Sequence, residues 1–276
     1  MPTDSHDNTP APVYVPLNFK DAVRSLRYAF RAIWDNISIV LAGSILLSLV
    51  TLAPIGIVYR LSFASKQLVI AATLSLFIAF TLISGPVYAG IVFFAMNRLR
   101  NARPSFAEVL QETSKFYWRA VRLSALQAFG ALLLGANLLF YLRARSAIFL
   151  IPGIISLYLQ LFWWAMSLYQ WPIFIASENG TIQRTDGKIP GLKSIIRNSF
   201  VMAVSSPVYT AVQLLVLCLI AIPCLLSGAG AAVLLPGVVA FCTSQATLEQ
   251  LVRFGTIEAL PDPDEDVPDI PWKVTQ

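Results

Sequence analysis

One acid, Glu249, lies inside an apolar stretch long enough to cross a bilayer. Arg253 follows it at i+4, the spacing at which a carboxylate and a guanidinium pair on a helix, and the sequence assigns it as the partner. The other polar groups of these stretches are amides: Asn137, Gln160, Gln213 and Gln245, with Gln127 and Gln170 nearer the ends. An aromatic run, Tyr158, Phe162, Trp163, Trp164, Tyr169, Trp171 and Phe174, places Trp163 and Trp164 deepest. Amides can hold a polar solute, and indoles can stack on a sugar or a lipid. Asn137, Gln160, Trp163, Trp164, Gln213 and Gln245 are therefore the candidate polar and aromatic pocket. A plainer use is open to the same residues. Amides bond across helices for a modest gain, of order 0.6–2 kcal/mol, and indoles fill cores.

Other chemistry has few residues to draw on. The single histidine is His6, and Cys218, Cys224 and Cys242 form no CxxC or Cys/His cluster, so neither a metal nor a cofactor is expected. No Walker loop, HExxH, GxSxG or paired-carboxylate pattern occurs, and the expectation is a protein that is not an enzyme. Proton-coupled transporters keep acids, bases or histidines within the membrane. Glu249, assigned to Arg253 near one end of its segment, weighs against that class. Gly85-Pro86 is the candidate kink, because proline inside a helix removes one hydrogen bond and frees a carbonyl that needs a partner inside the protein.

These residues are carried by segments that a soluble protein does not have. The 276-residue chain is 57% hydrophobic and 13% charged, against about 25% charged in ordinary soluble domains. A soluble enzyme, a disordered chain and a nucleic-acid-binding domain are excluded on that composition, despite the net charge of +5. Six segments approach the roughly 20 apolar residues that a crossing needs: 37–58, 67–97, 120–142, 147–175, 200–226 and 231–254. The expected fold is an all-α polytopic bundle of six transmembrane helices over residues 18–255. A flexible tail, 1–17, precedes it, and an acidic, proline-rich tail, 256–276, follows. Sixteen of the twenty bases fall on one set of segments, namely the two ends and the loops after the second and fourth spans. Basic loops mark the cytoplasmic side, so both termini are expected there, in the plasma membrane.

Each of the inner basic segments also reads as an amphipathic helix. Asn18 can cap the first, with Phe19, Ala22, Val23, Leu26, Phe30 and Ile33 as its apolar face. Ser105 and Glu108 form a capping box for the second, whose face is Phe106, Val109, Leu110, Thr113 and Tyr117. The third shows Leu192, Ile195, Ile196 and Ser199. Phe19, Phe106 and Leu192 recur at 86- or 87-residue intervals, which suggests three tandem helical hairpins, each preceded by a basic amphipathic helix. Such helices suit the bilayer interface, and equally the end of the bundle.

From Ser84 the sequence runs SGPVYAGIVFFAMNRLRNARPSFAEVLQETSKFYW, a Gly-Pro inside a span, a basic exit and an amphipathic helix. Later come WPIFIASENG, GLKSIIRNSF and LLPGVVAFCTSQATLEQLVRF. Over roughly residues 18–255 this pattern resembles the YesL-like family of bacterial integral membrane proteins, a membrane domain of unknown function. The resemblance implies a plasma-membrane protein associated with carbohydrate uptake, and it supplies no catalytic residues. Function is thus expected to be non-enzymatic, in solute transport or its regulation, with the lipid bilayer as surroundings. A structural or assembly subunit, binding a membrane-complex partner or a second copy through its inner helices and acidic tail, is the alternative. A lipid-handling protein is the third.

Overall fold

A computed structural model describes residues 16–61, 66–143, 147–182, 189–227 and 233–257, with side chains at 50–77, 79, 80 and 147 left aside. Among the described residues there are nine α-helices and no strand. They are α1 (Phe19–Asp35), α2 (Ile37–Leu61), α3 (Lys66–Leu99), α4 (Phe106–Lys115), α5 (Tyr117–Arg143), α6 (Leu150–Glu178), α7 (Leu192–Ser205), α8 (Pro207–Ser227) and α9 (Leu235–Arg253). A short 3-10 turn, Ala147–Phe149, leads into α6. Both expected tails lie almost wholly outside the described residues.

Short, long, long is the order of helices three times over. Single residues, Asn36, Phe116 and Ser206, separate each short helix (α1, α4, α7) from the outgoing helix that follows (α2, α5, α8). Local chemistry starts the short helices. Asn18 Oδ1 accepts from the Lys20 and Asp21 amides at 2.9 and 3.2 Å, and the Asp21 carboxylate accepts from the Asn18 amide at 3.0 Å. Ser105 and Glu108 make the reciprocal pair at 3.2 and 2.9 Å. Each box satisfies amides that a helix start leaves open.

Packing follows one rule around the molecule. The returning helices α3, α6 and α9 touch one another at the centre. Each also packs on its own outgoing helix, on the next short helix and on the next outgoing helix, with α9 reaching back to α1 and α2. Two glycines make the close approaches. A Cβ on Gly85 would meet Ser124 Cβ at 2.7 Å and the Ala120 carbonyl at 3.1 Å. On Gly237 it would meet the Ser44 hydroxyl at 2.9 Å and the Val40 carbonyl at 3.2 Å. Val40 and Ala120 are the fourth residues of α2 and α5, and Ser44 and Ser124 are the eighth. In the remaining contact of this kind, Tyr169 of α6 bonds Thr210, the fourth residue of α8.

α3 runs unbroken through Pro86. The proline has no amide hydrogen for the Leu82 carbonyl, and Tyr117 Oη donates to that carbonyl instead, at 3.1 Å. The partner that the sequence demanded is thus the first residue of α5. Tyr117→Phe is expected to cost about 1 kcal/mol, the net worth of one hydrogen bond, read as a lower melting temperature of the purified protein.

Two expectations change. Four helices among the described residues are long and apolar enough to cross a membrane: 81–99 of α3, then α5, α6 and α8. A fifth appears if α1 and Ile37–Leu49, bent by 89°, count as one span. The sixth expected segment is not among them because its helix, α9, carries Thr243, Ser244, Gln245, Thr247, Glu249 and Gln250, which lower its apolarity; it is also buried almost throughout from Gly237 to Leu251. A helix enclosed by other helices has no lipid to satisfy, so polar side chains cost it little where they find partners. The second change concerns α1. Its buried face is Ala22, Ser25, Leu26, Ala29 and Ile33, whereas Phe19, Val23 and Phe30 are exposed. The small residues let α1 lie close to α9, and the bulky ones rotate outward. On α7 the expected face holds, with Ile195 and Ser199 buried and Leu192 and Ile196 packed against the core.

Candidate functional site

The polar side chains of α9 meet those of α1, α6 and α8 in one buried network. Glu249 anchors it. Its Oε2 accepts from Tyr209 Oη at 3.2 Å, and its Oε1 accepts from Gln245 Nε2 at 3.4 Å, one turn back on α9. Tyr209 Oη also lies 2.8 Å from Ser25 Oγ of α1. Beside this chain, Gln250 Nε2 donates to Tyr169 Oη at 3.0 Å, and Tyr169 Oη shares a hydrogen with Thr210 Oγ1 at 2.8 Å. Tyr169, Tyr209, Ser25 and Gln250 are wholly buried. α8 reaches this place because its buried stripe, Tyr209, Thr210, Gln213 and Leu217, follows helical spacing.

Arg253 is not the partner of Glu249. Its guanidinium lies 3.7 Å from Asp21 of α1, which also meets Arg24 at 3.4 Å. Asp21 therefore caps α1 and ties it to the end of α9. The i+4 rule describes one isolated helix, and here a neighbouring helix offers the nearer acid.

The network leaves hydrogen-bonding capacity unused. Both amide atoms of Gln213 are buried without a partner, as are Ser244 Oγ, Gln250 Oε1 and Gln160 Oε1. Gln213 is 1% exposed. It stands one turn beyond Tyr209 on α8, as Gln245 stands one turn back from Glu249 on α9, so both lie about 6 Å along their helices from the Tyr209–Glu249 bond. A buried amide with nothing to bond costs about 1–3 kcal/mol.

The rest of the expected pocket is dispersed. Asn137 is exposed and donates to the Leu133 carbonyl of its own helix at 2.9 Å. Trp164 is exposed on α6. Trp163 packs on Gly130 of α5, where any Cβ would strike the indole ring. Gly85 belongs to the α3–α5 contact, and the carbonyl that Pro86 leaves open is met from α5. A second amide group joins α5 to α6 instead. Gln127 Nε2 donates to Gln170 Oε1 at 2.8 Å, and Trp171 Nε1 donates to Gln127 Oε1 at 2.6 Å. Sequence reasoning missed Ser25, Tyr169, Tyr209, Thr210 and Gln250 as site residues. The buried i, i+1, i+4 stripe of Tyr209, Thr210 and Gln213 is the signal that would have found part of the set.

Among the described residues no three His, Cys, Asp or Glu side chains gather where a metal ion would bind. Comparison with known protein families, with curated proteins and with solved structures finds no match.

Proposed function

We propose that the chain is a six-span plasma-membrane protein, with both termini cytoplasmic, that serves solute transport or its regulation without enzymatic chemistry. On this reading the three short–long–long units are tandem repeats closed into a ring, and α9 is the sixth span, sheltered from lipid by its neighbours. The one-sided distribution of the bases supports the orientation. The YesL-like resemblance supports the association with carbohydrate uptake. One observation carries the solute: the amide of Gln213, buried and uncommitted beside a carboxylate network. A hydroxyl-bearing neutral solute offers the donors and acceptors that this amide lacks.

Binding of such a solute raises the melting temperature of the folded protein as its concentration passes the dissociation constant. A panel of neutral sugars and polyols is expected to contain compounds that do so, and Gln213→Leu is expected to abolish their effect while leaving the unliganded protein folded. If no member of the panel stabilises the protein, or if Gln213→Leu responds as the wild type does, the reading is wrong. Reporter fusions after Ala64, Ser146 and Gly228 test the orientation. Cytoplasmic signal at all three would reverse it.

A second reading, the structural or assembly subunit, draws on α4. This helix buries none of its residues and exposes Phe106 at 78% and Leu110 at 63%. Purification in mild detergent is expected on that reading to recover a stoichiometric partner that Phe106→Asp releases.

A further inference from the structure

We propose that Glu249 is a reversible proton-binding site, linked through Tyr209 to Ser25 so that protonation is felt on α9, α8 and α1 together. This goes beyond the transport reading and does not depend on it.

Hydrogen counting carries the inference. Tyr209 has one hydroxyl hydrogen and two oxygen neighbours that lie within reach, Glu249 Oε2 at 3.2 Å and Ser25 Oγ at 2.8 Å. It can donate to one of them at a time. When Glu249 is a carboxylate it accepts only, so Tyr209 donates to it and Ser25 donates to Tyr209. When Glu249 is a carboxylic acid its own O–H donates to Tyr209, and Tyr209 donates to Ser25. In both arrangements each of the three oxygens keeps a hydrogen-bond partner with the same heavy-atom positions, and in the acid form the Ser25 hydrogen turns away from Tyr209. They differ by one proton on Glu249, which goes to or comes from water, and by rotation of two hydroxyls. No other bond changes. Glu249 is 9% exposed, whereas Tyr209 and Ser25 are fully buried, so the proton has a route at the edge of the network.

The surroundings leave the carboxyl free to take either form. Among the described residues no lysine or arginine nitrogen stands within ion-pair distance of it, because Arg253 and Arg24 are drawn to Asp21. The groups that face it are accounted for element by element. Asp21 and Arg24 on α1 act on it at longer range with opposite signs. α8 presents Tyr209. α6 presents Tyr169, bonded to Gln250 and Thr210. α3 presents Tyr88, beside Thr243 further along α9. The part of α2 whose side chains are described, 37–49, has no ionisable residue.

Infrared difference spectra of the purified protein in nanodiscs, between mildly acidic and mildly alkaline buffer, test the proposal. The expected result is a carboxylic-acid carbonyl band that fades on alkalinisation and is missing from Glu249→Gln. A tyrosine band is expected to shift with it, and to vanish in Tyr209→Phe while the carbonyl band still titrates. Persistence of the full band in Glu249→Gln overturns the site. An unmoved tyrosine band in the wild type overturns the link. If Glu249→Gln does not fold, carbon-13 labelling of the glutamates in Tyr209→Phe decides. A pH-sensitive glutamic-acid band distinct from those of exposed glutamates supports the site, and its absence refutes it. Sugar binding by Gln213 is read separately in melting temperature, so either reading can fail alone.

Discussion

Replacing Arg119 by leucine is expected to destabilise the protein by about 3 kcal/mol, the low end for removing one partner of a buried ion pair. Arg119 stands at the start of α5. Its guanidinium meets the carboxylate of Glu178, at the end of α6, at 2.5 Å, donates to the Pro190 carbonyl at 2.6 Å and lies over the Phe174 ring at 5.8 Å. The side chain of Glu178 is 10% exposed, so the substitution strands a charge with little water to solvate it. The same change frees the segment that leads from Pro190 into α7. The check is a melting curve of Arg119→Leu against Arg119→Leu/Glu178→Leu. The double variant is expected to regain much of the loss, because an apolar pair in that place strands nothing. A double variant no better than the single one would mean that the Pro190 and Phe174 contacts matter more than the charge.

Gly85→Ala and Gly237→Ala are the second pair of large effects, each expected to cost about 1–3 kcal/mol through overpacking. Neither neighbour can step aside cheaply. The atoms a methyl group would strike include the backbone carbonyls of Ala120 and Val40. Gly237 carries a further term, because its amide donates to Ser44 Oγ at 2.9 Å at the uncapped start of α9. Displacing α9 from α2 would loosen that bond too. The two contacts share no partner, so the double variant should lose close to the sum of the singles. Gly135→Ala, inside α5, is the control, since a Cβ there meets nothing within 4 Å. Equal losses in the control would remove the packing argument.

The positions of the long helices were legible because apolar length is a local property. Asn18 and the Ser105–Glu108 box were legible for the same reason, as each satisfies its own helix start. Pro86 announced that the Leu82 carbonyl needed a donor, but nothing local named Tyr117, thirty-five residues away. Glu249 shows the limit most clearly. Its i+4 neighbour is visible in the text, whereas Tyr209 and Ser25 become its surroundings only when α8 and α1 close on α9. Half of the expected α1 face is buried, Ala22, Leu26 and Ile33, whereas Phe19, Val23 and Phe30 are exposed, because hydrophobicity ranks the phenylalanines above Ala22 and Ala29 and close packing ranks them the other way. Gln213 and Gln245 were singled out, and both are buried. Asn137 and Trp164 were singled out on the same grounds and face outward, since type and depth do not say which side of a helix a residue takes.

The reach of α9 back to α1 and α2 bears on how the molecule is assembled. α1 leaves the ribosome long before α8 and α9, and until they follow it lacks the helices that cover most of Ala22, Ser25 and Ala29. α9, with its glutamines, threonines and glutamate, is a poor candidate to enter lipid by itself. In the folded protein it fills a space walled by α1, α2, α3, α6 and α8. The earlier helices form a receptacle, and the final helix is both its filling and the clasp that draws the first one in. Synthesis halted before α9 would leave an open, sticky intermediate rather than a smaller stable protein.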